Sequence, residues 1–210
     1  MADEMSNPDL NQRVAEALDG RKKKTSPYNE IAKEIEQSMR RLIHDTRSFY
    51  RYDEEKGVWT PLLPEQMEQH VKRALGDYNH THARTETLKN LRIDCYVDPA
   101  QLNHRKNLCN VQNGMLNLFT FELLPHDPSY FSTIQLSVKY QQDAKCPLWF
   151  RFLNEIFEGD PDAEQKISFL QEWAGYLLVP ETRQQKCVIC LGAGANGKGT
   201  LVGVLRGVIG

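Results

Sequence analysis

The sequence of 210 residues lacks the features of a secreted, membrane-spanning or strongly charged protein. We expect no secretory signal segment, and the sequence shows no long apolar run, no internal repeat and no low-complexity tract. Its formal net charge is −2, so no global field attracts nucleic acid, and any such contact must come from a local patch. These absences predict a globular cytoplasmic protein without a membrane partner.

The five cysteines are odd in number, which does not suit a disulfide framework and fits a reduced compartment. Cys187 and Cys190 have C-x-x-C spacing, but no second pair completes a zinc site. Because an apolar run surrounds them, we interpret both as small core residues. His80 and His82 alternate as strand residues do, which alone does not predict a metal site.

Basic side chains concentrate in the first half of the chain, where residues 1–110 hold 18 of the 26 Lys and Arg. Clusters lie at 21–24, 40–41, 72–73 and 104–106. Since charge runs usually mark solvated faces, we interpret these as exposed surfaces.

Apolar spacing and turn residues predict helices mixed with short strands. Residues 1–26 have the composition of a polar, partly disordered lead-in. Helices are expected from Ser26–Pro27 through Ile43, from Pro64, and over about residues 83–91. The aromatic-rich segment 49–59, with its glycine-ended turn, predicts a β-hairpin.

Short strands are expected between residues 97 and 140, with Asn113-Gly114 as a strong turn signal. We interpret His126 and Asp127, within Pro-His-Asp-Pro, as turn residues. Two helices follow, one from Cys146–Pro147 and one with Asp160 as its cap and Pro161 as its first residue.

The segment 187–200, CVICLGAGANGKGT, has the pattern of a phosphate-binding loop. Residues 187–191 predict a strand buried on both faces, and the apolar residues after 200 repeat at helical spacing. Glycines let backbone N–H groups converge on a phosphate at a helix start, and the lysine supplies a cation. The predicted nucleotide-binding residues are Gly192, Ala193, Gly194, Ala195, Asn196, Gly197, Lys198, Gly199 and Thr200.

The loop departs from the usual pattern at Gly199, where Ser or Thr normally follows the lysine. The hydroxyl arrives one position later, so Thr200 is the candidate Mg²⁺ contact. A glycine-rich turn without a ligand is the alternative. A small nucleotide kinase is a further alternative, but such enzymes carry the loop near the N-terminus and need a full sheet after it.

Five ordered blocks carry a family resemblance, at residues 49–62, 110–133, 140–157, 157–178 and 185–200. In these blocks the chain resembles the phage and plasmid primase-helicases of the satellite-phage type. The region upstream of the loop looks like the poxvirus-type N-terminal domain that precedes a superfamily III helicase. Asn117 stands where that family usually has an acidic residue, and Phe121 where it usually has glycine.

The resemblance implies an α+β chain. A mostly helical, helicase-associated domain with β-hairpins would cover residues 27–180. Residues 181–210 would then hold the first strand, P-loop and helix of an α/β P-loop NTPase domain that is truncated at its C-terminus.

The resemblance also implies an ATP-driven DNA helicase of phage or plasmid replication, acting in the bacterial host cytoplasm. ATP and Mg²⁺ would be its cofactors, single-stranded or origin DNA its partner, and a homo-hexameric ring its assembly. Hydrolysis in such machines needs an acidic pair and a neighbour's arginine besides the loop. No acidic pair follows Thr200 in the sequence, so we expect no catalytic residue and no ATP hydrolysis.

The competing class is a non-enzymatic module that binds DNA or assembles a ring, encoded by a split or decayed gene. The aromatic and basic side chains of residues 49–52 can stack on bases, although such a cluster more often forms a hairpin core. The sequence therefore assigns no DNA-contacting residue.

Overall fold

The computed structural model describes residues 27–39, 41–179, 183–192, 194 and 196–210. The predicted lead-in and Ser26 lie outside these ranges. The described chain is α+β, with six α-helices and two three-stranded antiparallel sheets. Its helices are α1 Pro27–Met39, α2 Pro64–Leu75, α3 Thr81–Asp94, α4 Pro147–Ile156, α5 Ala163–Leu177 and α6 Lys198–Ile209. Its strands are β1 Leu42–His44, β2 Phe49–Asp53, β3 Val58–Leu62, β4 Leu108–Val111, β5 Gly114–Asn117 and β6 Leu123–Leu124.

The described chain divides into two compact units. The first contains the described residues up to Glu55 together with Trp59–Leu102, and so holds α1 to α3 and most of the sheet β1–β2–β3. The second contains Lys56–Val58 and the described part of Asn103–Gly210, and so holds the sheet β4–β5–β6 and α4 to α6. The turn of the β2–β3 hairpin therefore belongs with the second unit.

The core of the first unit is formed by apolar helix faces that close over β1 and β2. The spacing of Ile31, Ile35 and Met39 places all three on one buried face of α1. Met67 and Val71 on α2 are buried in the same way. Burial of this face stabilises the helices more than their intrinsic propensity does.

The predicted helix through Ile43 is wrong at its C-terminal end. The helix α1 ends at Met39, and Arg41 has a left-handed φ of 56°. Strand β1 follows and pairs with β2, with Leu42 opposite Arg51. His44 then donates its N–H to the Cys95 carbonyl at 2.7 Å. These long-range hydrogen bonds override the helical spacing of the local sequence.

The hairpin and the other two helices predicted for the first unit are confirmed, with both ends of the third helix changed, since it extends to Asp94. The hairpin around residues 49–59 forms as β2 and β3, and α2 begins at Pro64. The third helix begins at Thr81 rather than near residue 83, because His80 Nδ1 accepts the N–H of Ala83 at 3.2 Å and caps it. His80 is therefore a cap, and neither it nor His82 lies in a strand.

The second unit contains the predicted turn at Asn113-Gly114, which joins β4 to β5 with Val111 opposite Gly114. The Asn113 side chain makes two hydrogen bonds to the backbone of Tyr140. Its Nδ2 donates to the Tyr140 carbonyl, and its Oδ1 accepts the Tyr140 N–H. A small core of Cys109, Val111, Leu116 and Leu136 packs beside the sheet.

Helices α4, α5 and α6 share a core around Leu153, Leu170 and Leu201. Helix α4 begins at Pro147 as predicted, but α5 begins at Ala163 rather than at Pro161. The carboxylate of Asp160 accepts the N–H of Asp162 at 2.9 Å and pairs with Lys166. Asp160 therefore caps the turn that precedes α5.

The strand predicted at residues 187–191 is not formed in the described chain. A strand needs a neighbour for its N–H and C=O groups, and none of the described strands pairs with this segment. Ile189 is 76% exposed and Leu191 87% exposed. Cys187 and Cys190 are exposed as well, so their interpretation as core residues is wrong.

Candidate functional site

The predicted phosphate-binding loop leads directly into helix α6. Gly197 precedes the helix with a left-handed φ of 79°, and its carbonyl accepts the N–H of Leu201 at 2.9 Å. The N–H groups of the first turn, from Lys198 to Thr200, have no partner within the helix. Together with the positive end of the helix dipole, such groups favour an anion.

Helix α4 fixes the position of this helix start. A Cβ on Gly197 would lie 2.5 Å from Ile156 Cγ2 and 3.1 Å from Phe152 Cζ. The loop backbone therefore packs directly on two side chains of α4, and only glycine fits there.

Lys198 folds back over the loop. Its ammonium donates to the Gly192 carbonyl at 3.0 Å and to Asn196 Oδ1 at 2.6 Å. A Cβ on Gly192 would lie 1.9 Å from Asn196 Nδ2 and 3.0 Å from Lys198 Nζ. Gly192 thus leaves room for the lysine and asparagine to close over it, and both acceptors of the ammonium are neutral.

The donor set of this loop fits a phosphate group. It offers main-chain N–H groups at a helix start and one cation, and no ion pair among the described residues engages Lys198. Gly194 has a left-handed φ of 111°, whereas Ala193 and Ala195 lie outside the described residues. Thr200 lies exposed in the first turn of α6, and its contact with Mg²⁺ stays a prediction.

Sequence reasoning missed an aromatic cleft of about 380 Å³ beside the segment that leads into the loop. Phe169, Trp173 and Tyr176 follow one another at helical spacing on α5, with Lys186 and Val188 opposite. The rings of Trp173 and Tyr176 lie 5.4 Å apart. The spacing of the aromatics along α5 was the available signal.

The aromatic and basic residues 49–52 are mainly hairpin core. Phe49 and Tyr52 are each 6% exposed. The Tyr52 ring packs against Trp59 at 5.3 Å, and the guanidinium of Arg41 lies 5.4 Å from it. Two of the four side chains are thus unavailable for base stacking.

His126 and Asp127 lie in a turn, as predicted. The Asp127 carboxylate accepts the N–H of Ser129 at 2.7 Å and begins a 3₁₀ turn. His126 also has a second role, because its Nε2 lies 2.9 Å from the Val111 carbonyl oxygen and 3.2 Å from Asn110 Oδ1. These bonds tie the turn to strand β4.

The described residues carry neither a metal-binding cluster nor a membrane-spanning helix. Among them, no group of three or more His, Cys, Asp or Glu side chains is arranged to hold a metal ion. None of the described helices is both long enough and apolar enough to span a lipid bilayer.

Comparison with protein families identifies the region upstream of the loop. A family model described as D5 N terminal like matches residues 13–158, which is well over half of the chain. The match takes in all of the described residues through the end of α4, and it ends before α5 and the glycine-rich loop. No curated protein matches the chain.

Proposed function

This chain belongs to the D5 N terminal like family, and on that premise we propose that it is the N-terminal region of a phage- or plasmid-type primase-helicase acting in DNA replication. The match across residues 13–158 is the observation that carries the proposal. DNA is its proposed partner and a homo-hexameric ring its proposed assembly.

The proposal extends to the glycine-rich loop, whose residues 192–200 would hold the outer phosphates of ATP. Three features support it: the N–H groups at the start of α6, the left-handed Gly197, and the ammonium of Lys198 above the loop. Lys198 would exchange the oxygens of Gly192 and Asn196 for phosphate oxygens. Mg²⁺ bound with the nucleotide would supply further charge neutralisation, with Thr200 as its candidate protein contact.

Isothermal titration of the full chain with ATP, with and without Mg²⁺, tests the loop. Lys198→Ala removes a charge-assisted contact, so affinity is expected to fall roughly ten- to a hundredfold. Lys145→Ala, at an exposed lysine on another segment, is the matched control and is expected to bind as the parent does. Thr200→Ala is expected to weaken binding only when Mg²⁺ is present.

Two results would contradict ATP binding by the loop. The first is a parent chain that takes up no nucleotide at millimolar concentration. The second is a Lys198→Ala variant with the parent's affinity, because the ammonium would then contribute nothing.

One observation favours a second candidate, a non-enzymatic module that binds DNA or assembles a ring. The segment 187–191 is unpaired in the described chain and exposes Ile189 and Leu191. An exposed apolar segment of this kind is suited to pairing with another chain. DNA binding or ring formation without any nucleotide binding would favour this candidate over the first.

A further inference from the structure

The turn between β5 and β6 exposes two aromatic rings. We call residues Leu118–Glu122 the aromatic tip. Phe119 is 81% exposed and Phe121 60% exposed. Both belong to the second unit, and neither belongs to the hydrophobic clusters that its described residues form around Leu116 and around Leu153.

The aromatic tip is held in place by hydrogen bonds to Asn117. The Asn117 Oδ1 accepts the N–H of Phe119 at 3.0 Å and that of Thr120 at 3.3 Å. Its backbone carbonyl accepts the N–H of Phe121 at 2.8 Å, and its N–H donates to the Glu122 carbonyl at 2.9 Å. Phe121 has a left-handed φ of 58°, a conformation that glycine adopts without strain. The turn thus places the large ring of Phe121 at a position whose backbone conformation favours glycine.

A basic segment lies beside the aromatic tip. Leu118 donates its N–H to the Asn107 carbonyl at 2.9 Å, which joins the start of the tip to the residue that directly follows 104–106, His-Arg-Lys. The Arg105 guanidinium lies 5.2 Å from the ring centre of Tyr130, a cation–π distance. Glu122 is the one acidic residue of the tip, so Arg105 and Lys106 leave this surface net positive.

We propose that the aromatic tip and residues 104–106 form a binding site for single-stranded nucleic acid. Bases would stack on the rings of Phe119 and Phe121, and Arg105 and Lys106 would hold the phosphates. Exposed rings beside cations are the combination that binds single strands without sequence preference. Bases of a duplex are already stacked on one another, so the rings select single strands. The proposal rests on the proposed function only in taking nucleic acid as the partner.

The size of the patch argues against a protein partner. Aromatic side chains bury about 150–250 Å² each when fully covered. Two rings therefore supply roughly half of the ~800 Å² that each partner contributes to a standard protein interface. The positive charge beside them complements a phosphate backbone.

Fluorescence anisotropy of the full chain with a labelled oligothymidylate tests the site, with an oligouridylate and a DNA duplex of equal length as further arms. The parent is expected to bind single strands more tightly than duplex. Removing each ring with Phe119→Ala or Phe121→Ala is expected to weaken binding roughly tenfold, a ratio equal to about 1.4 kcal/mol. Phe150→Ala, at another phenylalanine that is 53% exposed, is the matched control and is expected to change nothing.

Two further comparisons separate stacking from charge. Phe119→Trp is expected to keep the affinity and Phe119→Leu to lose it, because only the first keeps a π-face. The double change Arg105→Gln with Lys106→Gln is expected to reduce the slope of log K against log salt by about 1.4, since each phosphate left without its cation accounts for about 0.7. The melting temperature of each variant checks that it is folded. If an alanine variant melts at a lower temperature than the parent, the comparison of Phe119→Trp with Phe119→Leu is used in its place.

The proposal is overturned if the double alanine variant, which carries both Phe119→Ala and Phe121→Ala, binds like the parent, if Phe150→Ala weakens binding equally, or if duplex binds as tightly as single strands. Self-association of the parent that the double alanine variant abolishes, without any loss of nucleic-acid affinity, would assign the tip to a second copy of the chain. Equal affinity for both oligonucleotides supports a general single-strand site, and a thymidylate preference supports DNA. The ATP titration with Lys198→Ala reports on the nucleotide loop separately, so either idea can fail alone.

Discussion

Gly57 lies so close to His126 that a Cβ on the glycine would be 2.1 Å from the imidazole Cγ. Gly57 also has a left-handed φ of 71°. We therefore expect Gly57→Ala to lower the free energy of unfolding by about 2–5 kcal/mol. The left-handed backbone accounts for about 1–2 kcal/mol of this, and overpacking against the ring for about 1–3 kcal/mol. Urea denaturation of the two proteins measures the difference.

Gly159→Ala is the matched control for this change. Gly159 has a φ of 75°, but a Cβ there would meet nothing within 4 Å. Gly159→Ala is therefore expected to lower the free energy of unfolding only by the strain of the left-handed backbone, about 1–2 kcal/mol. Equal losses in the two variants would show that the contact with His126 carries no energetic weight.

Asn110 links the turn of the β2–β3 hairpin to the rest of the second unit. Its side chain is buried, and its Nδ2 donates to the Gly57 carbonyl at 3.0 Å and to Ser132 Oγ at 3.1 Å. Its Oδ1 accepts from Gln135 Nε2 at 2.9 Å. Asn110→Ala removes these hydrogen bonds from a buried position, so we expect a loss of about 2–4 kcal/mol in urea denaturation.

The comparison for Asn110 is Asn113→Ala, which removes two hydrogen bonds to Tyr140 from an exposed position. Water can replace the missing partners there, so a loss of about 1 kcal/mol is expected. If Asn110→Ala cost no more than Asn113→Ala, the buried network would not stabilise the fold.

The stability of the first unit is expected to fall as the pH drops below 6.5. Burial lowers the pKa of His44 from its ordinary value of 6.5, and Arg92 lowers it further while Asp45 opposes both. Burial also lowers the pKa of His70, helped by Arg73 and Arg51. The unfolded chain then binds more protons than the folded chain below pH 6.5, so stability is full above that pH and declines beneath it. Each histidine contributes a slope of at most about 1.4 kcal/mol per pH unit.

Urea denaturation at pH 7.5 and at pH 5.5 measures this decline. His44→Phe removes a ring whose buried Nδ1 has no hydrogen-bond partner among the described residues, and keeps a ring beside Phe49. We expect His44→Phe to lose less unfolding free energy between the two pH values than the parent does. His70→Gln is expected to remove the part of the loss that His70 contributes. A decline that is unchanged in both variants would assign the acid sensitivity to other groups.

Patterns of local sequence predicted most of the helices and the hairpins β2–β3 and β4–β5. The helices that begin at Pro64 and Pro147 were predictable because proline restricts the local backbone. The turn at Asn113-Gly114 was predictable for the same reason, since it depends on the backbone preferences of those two residues. Strand β1 escaped prediction because it is fixed by pairing with β2 and by the hydrogen bond from His44 to Cys95, which lies far along the chain. The prediction of a strand at 187–191 was wrong for the opposite reason. The apolar residues of this segment suit a strand, but none of the described strands pairs with it.

The candidate sites were predictable to different degrees. The order of the glycines and Lys198 identified the loop because phosphate binding depends on main-chain groups and their spacing. The aromatic tip could not be found in this way. In the sequence, Phe119 and Phe121 could equally be core residues. Only the fold shows that both rings are exposed.

The cysteines offer a direct test of how residues 187–191 are arranged. Burial raises the pKa of Cys95 to about 12, with Glu36 and Asp94 adding to the effect, and burial raises the pKa of Cys109 to about 11. Because the thiolate is the reactive form, both are expected to resist iodoacetamide at pH 8. The three exposed cysteines, Cys146, Cys187 and Cys190, are expected to react.

Mass spectrometry of the intact chain after alkylation should therefore show three adducts in buffer and five in urea. Cys146→Ser provides the control, because it removes one exposed thiol outside the segment and should leave two adducts in buffer. Protection of Cys187 and Cys190 in the native chain would contradict the exposed arrangement. That result would instead favour the buried strand that the sequence predicts, since a strand covered on both faces would shield both thiols.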